Sequence, residues 1–309
     1  MKLLVCDKLD SQSIEAMCAA GIEVVAKTGL SPKQLIATVG AYHVLVVRSA
    51  TKVSAPVIDA ATDLKCIIRG GVGLDNIAVD YAKTRGIEVL NTPVATTVSV
   101  AELTIGYLFA LARRIPQMTM SMKAGKWEKK VFEGEELAGK TLGLVGCGRI
   151  GQEVARRATA LAMRVIFYDV VPIQVSYARQ VPLEELLKDS DYISMHVPLT
   201  PQARHMIGKE QFAMMKDPVR IIQCARGGTI DEEALYEAIV SGKVAGAALD
   251  VFTDEDQPDS FKGLVLLDQV IASPHVGAST IEAQARVGRE VAELAISFYR
   301  KRFDTGQLQ

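Results

Sequence analysis

The amino-acid sequence predicts an α/β protein in which a doubly wound parallel sheet is inserted into a second, smaller α/β domain. Three observations support this fold class. Short runs rich in Val and Ile alternate with segments of helical period from the first residue onward. The alternation starts again after a long apolar helical stretch. A chain of 309 residues, 49% of them hydrophobic, is long enough to form two hydrophobic cores.

The first series of strands predicts the first segment of the smaller domain, over residues 1–95. Its strands are KLLVC from Lys2, HVLVV from His43, KCIIR from Lys65 and IEVLN from Ile87. Ser31 and Pro32 indicate the cap and first turn of one intervening helix, and SAPVIDAA from Ser54 indicates another. After the sequence NTP at 91–93 we expect a long amphipathic helix that ends where Pro116 stops it.

A second series of six strands predicts a complete doubly wound sheet within residues 96–280. Its strands are TLGLV from Thr141, RVIFYD from Arg164, DYISMHV from Asp191, VRIIQCA from Val219, VAGAALDV from Val244 and QVIASPHV from Gln269. The last helical segment is longer than this sheet needs. We therefore expect residues 281–309 to return to the smaller domain.

Composition and charge exclude several classes of partner. Lys and Arg total 35 against 36 Asp and Glu, so no positive field attracts nucleic acid or an anionic membrane. The five cysteines are odd in number and scattered, and no CxxC pair suggests zinc. The amino terminus meets charge too early for a signal peptide, and the longest apolar stretch contains Glu102. These features predict a cytoplasmic protein without a bound metal.

The segment GLVGCGRIGQEV carries three glycines with GxGxxG spacing between an apolar strand and a helix. Gly146 suits the tight turn, Gly148 a close approach to a pyrophosphate, and Gly151 close packing of helix and strand. The helix N-terminus then offers free N–H groups to the phosphates. Glycine turns of this kind also occur for structural reasons alone, so that alternative stays open.

The next strand ends at Asp169, 18 positions beyond Gly151, where a carboxylate can accept both ribose hydroxyls of an adenosine. The same carboxylate repels a 2′-phosphate, and the three residues that follow it include no Arg. The sequence therefore predicts a Rossmann-type domain that prefers NAD to NADP. A strand-end turn acid is the alternative interpretation of Asp169.

Three later strands end in polar residues, at the edge where open α/β sheets bind ligands. Arg226 can bind a carboxylate bidentately, or it can pair with a nearby acid. Of the four histidines, His196 and His275 lie at the ends of predicted strands, and histidine is the natural proton carrier near neutral pH. Spacing alone does not choose the carboxylate partner of His275, for which four acids are candidates: Asp250, Asp254, Glu255 and Asp256.

The segments GLVGCGRIG, ARGGTIDEEAL, GAALDVF and SPHVGAST resemble the NAD-dependent D-2-hydroxyacid dehydrogenase family, across nearly the whole chain. The resemblance implies a nucleotide domain inserted into a split, flavodoxin-like substrate domain. It implies that Arg226 orients the substrate's carboxylate and carbonyl. It also implies that His275, paired with Glu255, takes the hydroxyl proton as hydride leaves C2 for the nicotinamide. The predicted cofactor contacts are Val72, Gly146, Gly148, Arg149, Ile150, Gly151, Asp169, His196, Val197, Pro198, Cys224, Ala225, Asp250 and Gly277.

Within the family, the segments VRSATKV, RGGVGLDNI, NTP, MKAGKWEKKVF and CARGG are most similar to D-3-phosphoglycerate dehydrogenases. This similarity implies oxidation of 3-phosphoglycerate to 3-phosphohydroxypyruvate, a step of serine biosynthesis. Glycine N–H groups can form a nest for the carboxylate and basic side chains can bind a phosphate, although a simple turn and solvated cations are alternatives. The predicted substrate contacts are Arg48, Ser49, Arg69, Gly70, Gly71, Asn91, Lys129 and Lys130.

Two other functions stay open. The same catalytic residues would serve a reductase of glyoxylate, hydroxypyruvate or another small 2-keto acid, and an NAD(H)-sensing interaction protein resembling corepressors of this fold would retain them.

The sequence departs from the family pattern at Val72, Gln223 and Asp256. The apolar helix from about Ser99 to Arg114 suggests a homodimer formed through the NAD-binding domain. Because the sequence stops at Gln309, without the serine-sensing domains of longer members, we expect no serine feedback.

Overall fold

A computed structural model describes residues 1–303, which form two compact units. Unit 1 comprises residues 1–96 together with the chain from residue 279 onward, and unit 2 comprises residues 97–278. The sequence places these divisions at 95/96 and 280/281. Residues 304–309, which it assigns to the returning segment, lie outside the described residues.

Unit 1 is built on a parallel sheet of five short strands. They are β1 (Lys2–Val5), β2 (Glu23–Ala26), β3 (Val44–Val47), β4 (Cys66–Arg69) and β5 (Glu88–Asn91). Their order is β2-β1-β3-β4-β5, which is that of flavodoxin-like doubly wound sheets, so the predicted fold class is confirmed. Strand β2 is absent from the sequence prediction. It is an edge strand whose four residues are exposed or only partly buried, so it lacks a continuous apolar run.

Four helices connect these strands: α1 (Ser11–Ala19), α2 (Pro32–Thr38), α3 (Ala55–Ala60) and α4 (Val79–Thr84). Helix α2 begins as predicted. The Gln34 backbone N–H donates to Ser31 Oγ at 3.4 Å, and the Ser31 backbone N–H donates to Gln34 Oε1 at 2.9 Å. This reciprocal capping box satisfies N–H groups that have no partner inside the helix, and Pro32 fits the first turn because it has no N–H to satisfy.

Unit 2 begins with two helices where the sequence predicts one. Helix α5 spans Thr97–Arg113 and helix α6 spans Ile115–Lys123. The prediction that Pro116 stops the first helix is wrong. The break comes earlier, at Arg114, which has a left-handed backbone with φ of 52°. Pro116 lies in the first turn of α6, where a missing N–H breaks no hydrogen bond.

The sheet of unit 2 contains all six predicted strands and one short edge strand. The strands are β6 (Thr141–Val145), β7 (Arg164–Tyr168), β8 (Arg179–Gln180), β9 (Tyr192–Met195), β10 (Val219–Gln223), β11 (Val244–Leu249) and β12 (Val270–Ala272). All pairings are parallel, in the order β12-β11-β10-β9-β6-β7-β8. The strand order therefore reverses between β6 and β9. In open α/β sheets, ligands bind at the carboxyl ends of the strands at such a point.

Helices cover both faces of this sheet, which is why its strands are continuous apolar runs. The helices are α7 (Arg149–Ala160), α8 (Leu183–Asp189), α9 (Lys209–Met214), α10 (Glu232–Val240) and α11 (Lys262–Val265). In β6, Leu144 belongs to the core shared with α5 and α7, whereas Val145 belongs to the core shared with α8, α9 and α10. Successive residues of the strand thus fill opposite cores.

Helix α12 (Ile281–Phe303) completes unit 1. Its buried residues Val287, Val291 and Phe298 join the core on one face of the unit 1 sheet, with Leu3 and Ile68. Among residues 1–303, no helix combines the length and the apolar character needed to cross a lipid bilayer.

Candidate active site

The glycine turn of unit 2 lies at the strand-order reversal, and its glycines are required for different reasons. Gly146 has φ of 97°, and a Cβ there would lie 2.6 Å from the carbonyl oxygen of His196. A Cβ on Gly151 would overlap the carbonyl oxygen of Gly146. No neighbouring atom lies within 4 Å of a Cβ built on Gly148, which precedes α7 without a side-chain cap. The turn therefore leaves an open surface at the N-terminus of α7.

Asp169 follows β7 and is tied to the glycine turn. Its Oδ2 accepts the Cys147 backbone N–H at 2.8 Å, and its Oδ1 accepts the Val171 backbone N–H at 3.2 Å. Burial, followed by the nearby charge of Asp169, raises the pKa of Cys147 to about 11, so this thiol is neutral near pH 7. An open glycine turn, an uncapped helix N-terminus and a fixed, partly exposed carboxylate fit the phosphates and adenosine ribose of NAD.

Strand β9 leads into His196, Val197 and Pro198, which border the glycine turn. Val197 Cγ1 lies 2.9 Å from the position of a Cβ on Gly146. The His196 Nε2 is 2.9 Å from Ser194 Oγ. Burial lowers the pKa of His196 to about 4, so the ring is neutral near pH 7. His196 is therefore unsuited to carry a proton in that range, and of the two histidine candidates His275 remains.

His275 and Glu255 form a pair at the carboxyl edge of the unit 2 sheet. The His275 Nδ1 lies 2.9 Å from Glu255 Oε2, and the two side chains are 41% and 43% exposed. Burial acts to raise the pKa of Glu255, but its hydrogen bond to His275 and the charges of His275 and Arg226 bring that pKa below its usual value. The Phe252 N–H, 3.5 Å from Glu255 Oε1, acts in the same direction. The structure thus selects Glu255 from the four candidate carboxylates.

Arg226 lies in the loop after β10, close to the segment that leads to Glu255. A Cβ on Gly227 would overlap the carbonyl oxygen of Phe252, so only glycine allows the two segments to approach. Gly228 has φ of 77°, a conformation that favours glycine. The Arg226 Nη1 donates to the carbonyl oxygen of Ala225 at 2.6 Å. Guanidinium, carboxylate and imidazole therefore belong to neighbouring loops of one unit.

Asp250 holds the loop that carries His275, a role that the sequence did not indicate. Its side chain is 1% exposed. Its Oδ1 accepts from Ser273 Oγ and from the Val276 N–H at 2.8 Å, and its Oδ2 accepts the Gly277 N–H at 2.8 Å. The predicted nicotinamide contact through Asp250 must therefore share oxygens that already accept hydrogen bonds.

This carboxylate supports an unusual backbone conformation. His275 has φ of 52°, and its N–H donates to the backbone oxygen of Asp250 at 2.8 Å. Side chains in left-handed backbone are disfavoured unless surrounding contacts compensate. Tyr107, on α5, extends the network through a 2.5 Å contact between its hydroxyl and Ser273 Oγ. Sequence reasoning missed Tyr107 and Ser273 because 166 positions separate them.

The predicted substrate residues of unit 1 cluster after β3 and β4. Gly71 has φ of 145°, and a Cβ there would overlap the Arg69 guanidinium. A Cβ on Gly70 would lie 3.3 Å from Arg48 Cγ, so the Arg48 stem passes over this glycine. The Gly70 N–H donates to Val47 O at 2.8 Å and the Gly71 N–H to Arg69 O at 3.0 Å. A turn is therefore favoured over a nest for these two glycines.

The loop after β3 is organised by the buried carboxylate of Asp7. Its Oδ2 accepts the Arg48 N–H at 2.5 Å, and its Oδ1 accepts from Thr51 Oγ1 at 2.9 Å. Burial lowers the pKa of Arg48, and the charge of Asp7 opposes that shift. Ser49, between them in sequence, is exposed. This arrangement fixes the backbone of Arg48 and leaves Ser49 exposed after it.

Two further predicted contacts differ in their surroundings. The Asn91 Nδ2 donates to the Val72 carbonyl oxygen at 2.7 Å, so these residues hold one loop of unit 1. Lys129 and Lys130 are exposed on the segment that joins α6 to β6 in unit 2. That segment is fastened at the amino ends of the strands, where Glu135 Oε1 lies 2.7 Å from Arg220 Nη1. Within unit 2, the structure therefore does not bring the two lysines to the His275 pair.

A dinucleotide-type glycine turn with a strand-end carboxylate, accompanied by a histidine, a carboxylate and an arginine, defines an NAD-dependent dehydrogenase. Residues 105–277 match the family described as D-isomer specific 2-hydroxyacid dehydrogenase, NAD binding domain. The chain belongs to this D-2-hydroxyacid dehydrogenase family, as the resemblance predicted. The predicted cofactor, NAD, is confirmed at the level of the family.

Similar proteins include enzymes named for three different substrates. The chain is 52% identical over 289 residues to a hydroxypyruvate reductase of Thermotoga maritima, covering 93% of this chain and 94% of that relative. It is 51% identical over 298 residues to a D-3-phosphoglycerate dehydrogenase of Methanocaldococcus jannaschii, covering 95% of this chain but only 56% of that relative. A solved D-lactate dehydrogenase from Aquifex aeolicus, complexed with NAD and lactic acid, matches with TM-score 0.86 at 29% identity, over 98% and 97% of the two chains.

Proposed function

We propose that the chain interconverts D-3-phosphoglycerate and 3-phosphohydroxypyruvate with NAD as the oxidant. The observation that carries the catalytic part is the 2.9 Å contact between His275 Nδ1 and Glu255 Oε2, with Arg226 close enough to lower the pKa of that carboxyl. Support for the substrate comes from the similarity to D-3-phosphoglycerate dehydrogenases.

His275 moves the proton and Arg226 binds the substrate carboxylate. Because Nδ1 faces Glu255, Nε2 is the ring nitrogen that exchanges a proton with the oxygen on C2. In oxidation the neutral imidazole takes the hydroxyl proton while the hydride leaves C2. In reduction the imidazolium returns that proton to the carbonyl oxygen. The negative charge of Glu255 stabilises the imidazolium in both directions, and bound NAD supplies the hydride acceptor.

The cofactor contacts follow the switch point of unit 2. The turn from Gly146 to Gly151, including Arg149 and Ile150, presents backbone N–H groups to the pyrophosphate, and Asp169 accepts the ribose hydroxyls. The remaining contacts that we propose are His196, Val197, Pro198, Cys224, Ala225, Asp250 and Gly277 of unit 2, with Val72 of unit 1.

Unit 1 carries groups whose chemistry suits the rest of the substrate. Arg48 and Arg69 carry positive charge, and Ser49 carries a hydroxyl suited to a phosphate oxygen. Asn91, Gly70 and Gly71 shape the loop beside them. Lys129 and Lys130 stay proposed phosphate contacts, although their exposed segment gives them no fixed geometry in unit 2.

Hydroxypyruvate reduction is the second candidate. This reaction is favoured by the similarity to the Thermotoga maritima hydroxypyruvate reductase, of which this chain covers 94%. By contrast, the chain spans only about half the length of the D-3-phosphoglycerate dehydrogenases that it matches. The same histidine, carboxylate and arginine serve both reactions, since both substrates carry a 2-keto acid or a 2-hydroxy acid.

We also propose a cytoplasmic homodimer formed through unit 2. Helices α5 and α6 and the segment after them expose large apolar side chains, including Phe109, Ile115, Met120, Met122 and Trp127. Contiguous exposed apolar surface is typical of interfaces between proteins. Sedimentation at micromolar concentration is expected to give a dimer, and a monomer there contradicts the proposal.

The substrate is tested by following NADH absorbance with paired acids. We expect kcat/KM for 3-phosphohydroxypyruvate to exceed that for hydroxypyruvate and glyoxylate by about tenfold or more, because a phosphate contact contributes on the order of 1–2 kcal/mol. Equal or better turnover of the unphosphorylated acids overturns the phosphoglycerate assignment in favour of the reductase. Tight NADH binding without turnover of any acid favours the NAD(H)-sensing interaction protein.

The catalytic assignment is tested with His275→Ala and Arg226→Ala. His275→Ala is expected to lower kcat/KM by about 10²–10⁴, which is the usual contribution of a positioned proton carrier. Arg226→Ala is expected to lower it by about 10²-fold or more, because hydrogen bonds to the substrate carboxylate, each worth about 1.5–3 kcal/mol, are lost. NADH binding, measured by fluorescence titration, is expected to persist in both. Preserved turnover in either variant refutes the role of that residue.

A further inference from the structure

Gln223 is a buried amide whose contacts converge on the loop of Arg226. It is the last residue of β10, and it is 2% exposed. Its Oε1 accepts the Ala225 N–H at 3.1 Å. Its Nε2 donates to the Arg226 carbonyl oxygen at 3.0 Å and to Thr229 Oγ1 at 2.6 Å. The acceptor and the donors of this one side chain are thus all used by residues 225–229.

These contacts fix the backbone on both sides of the Arg226 side chain. Gln223 accepts a hydrogen bond from the N–H of Ala225, the residue before Arg226, and donates one to the carbonyl oxygen of Arg226 itself. Ala225, held by its N–H, offers its carbonyl oxygen to Arg226 Nη1 at 2.6 Å. Thr229 Oγ1 donates to the same Arg226 carbonyl at 2.9 Å, which closes the network. The amide therefore acts on the guanidinium through two held backbone groups.

The loop needs such a clamp because its sequence supplies little stiffness. Gly227 and Gly228 follow Arg226 and are required by the close approach of Phe252 and by a positive φ. Glycine has more backbone freedom than any other residue, so two in succession leave the loop free to move unless other contacts hold it.

We propose that Gln223 is a positioning residue for Arg226, setting the orientation in which the guanidinium binds the substrate carboxylate. The proposal rests on the role of Arg226 given above. An amide is needed because the loop requires one acceptor and two donors from one side chain. A carboxylate at this position offers no donor to the Arg226 carbonyl, and a thioether offers no comparable donor or acceptor.

The test is a double-mutant cycle in the full chain with Gln223→Met and Arg226→Lys, assayed with NADH against 3-phosphohydroxypyruvate and hydroxypyruvate, both of which carry the carboxylate. In the parent protein, Gln223→Met is expected to raise KM for both acids by about tenfold, with a smaller change in kcat and an NADH Kd within about twofold. In the Arg226→Lys background the same substitution is expected to change kcat/KM by less than about twofold, because the group it positions is absent.

Equal factors in the two backgrounds overturn the proposal, since a residue that only stabilises unit 2 acts regardless of residue 226. No effect in the parent protein overturns it as well. Arg226→Lys with parental kcat/KM instead refutes the role of Arg226, so the two failures are distinguishable.

A second pair of variants keeps the test valid if Gln223→Met does not fold. Thr229→Val removes the hydroxyl that joins the amide to the Arg226 carbonyl, and Thr229→Ser keeps it. A KM raised about threefold or more in the valine variant alone supports the proposal. Parental KM values in both variants contradict it.

Discussion

Replacing Glu255 by Gln removes the charge beside His275 while keeping the shape of the side chain. Two unit charges about 4 Å apart interact by ~1 kcal/mol in water and ~4 kcal/mol at an effective dielectric constant of about 20. Both side chains are about two-fifths exposed, so the lower part of that range applies. A loss of ~1.4 kcal/mol of transition-state stabilisation lowers a rate about tenfold.

The assay is kcat/KM for oxidation of D-3-phosphoglycerate, or of D-glycerate if that is the better substrate. In oxidation His275 takes up the hydroxyl proton, so positive charge develops on the ring beside Glu255. Without the carboxylate this charge is less stabilised in the transition state. Glu255→Gln should therefore lower kcat/KM by about tenfold.

A control separates this local effect from a general change of charge. Asp259→Asn removes one charge from the same loop, where Asp259 lies 3.7 Å from Lys262 and is almost fully exposed. Its kcat/KM should lie within about twofold of that of the parent protein, because solvent and salt screen such a charge. If Glu255→Gln keeps the parental kcat/KM, Glu255 does not stabilise the imidazolium.

Three further predictions concern the cofactor and the stability of unit 2. Gly148→Ala should fold normally but weaken NADH binding by about tenfold, because its Cβ meets no protein atom and occupies the pyrophosphate approach. Gly151→Ala should instead lower the melting temperature, because its Cβ overlaps the Gly146 carbonyl. If the two variants change NADH affinity and melting temperature equally, this distinction is wrong. Asp169→Ser should lower kcat/KM for NAD by about tenfold and raise kcat/KM for NADP, because the carboxylate that repels a 2′-phosphate is gone. If the ratio of kcat/KM for NAD to kcat/KM for NADP is unchanged, Asp169 does not select the cofactor. Glu135→Gln should lower the free energy of unfolding, measured in urea, by about 1–3 kcal/mol and leave kcat unchanged. The reason is that Glu135 pairs with Arg220 and accepts a hydrogen bond from the Tyr192 hydroxyl at 2.5 Å. A parental free energy of unfolding would mean that the pair contributes nothing to stability.

Most of the strands that sequence analysis predicted are buried on both faces of their sheets, and such strands appear as continuous apolar runs. The edge strands β5 and β12 were also predicted, although their residues are partly buried or exposed. Strands β2 and β8 were missed because they are short edge strands with exposed residues. Pro116 was misinterpreted because the same residue suits both the stop of one helix and the first turn of the next.

The candidate site was predictable where the residue type and its place in the sequence indicate a single function. A glycine turn followed by Asp169 has few other uses, and Arg226 and His275 lie at the ends of predicted strands. Choosing Glu255 from four nearby acids requires coordinates, since the choice depends on which carboxylate reaches the imidazole and which, like Asp250, points into its own loop. Tyr107 has no local signal at all, because its contact joins distant parts of the chain.

The interruption of unit 1 has a consequence for how the protein is made. One face of its sheet, including Leu3 and Ile68, is covered by Val287, Val291 and Phe298 of α12, which a ribosome synthesises only after unit 2. Throughout translation of the intervening 182 residues, from 97 to 278, the apolar residues of that face cannot be buried by α12. Unit 2 is continuous in sequence, so it can fold before unit 1 is complete. Nascent chains stalled before codon 281 should therefore engage holdase chaperones through their first hundred residues.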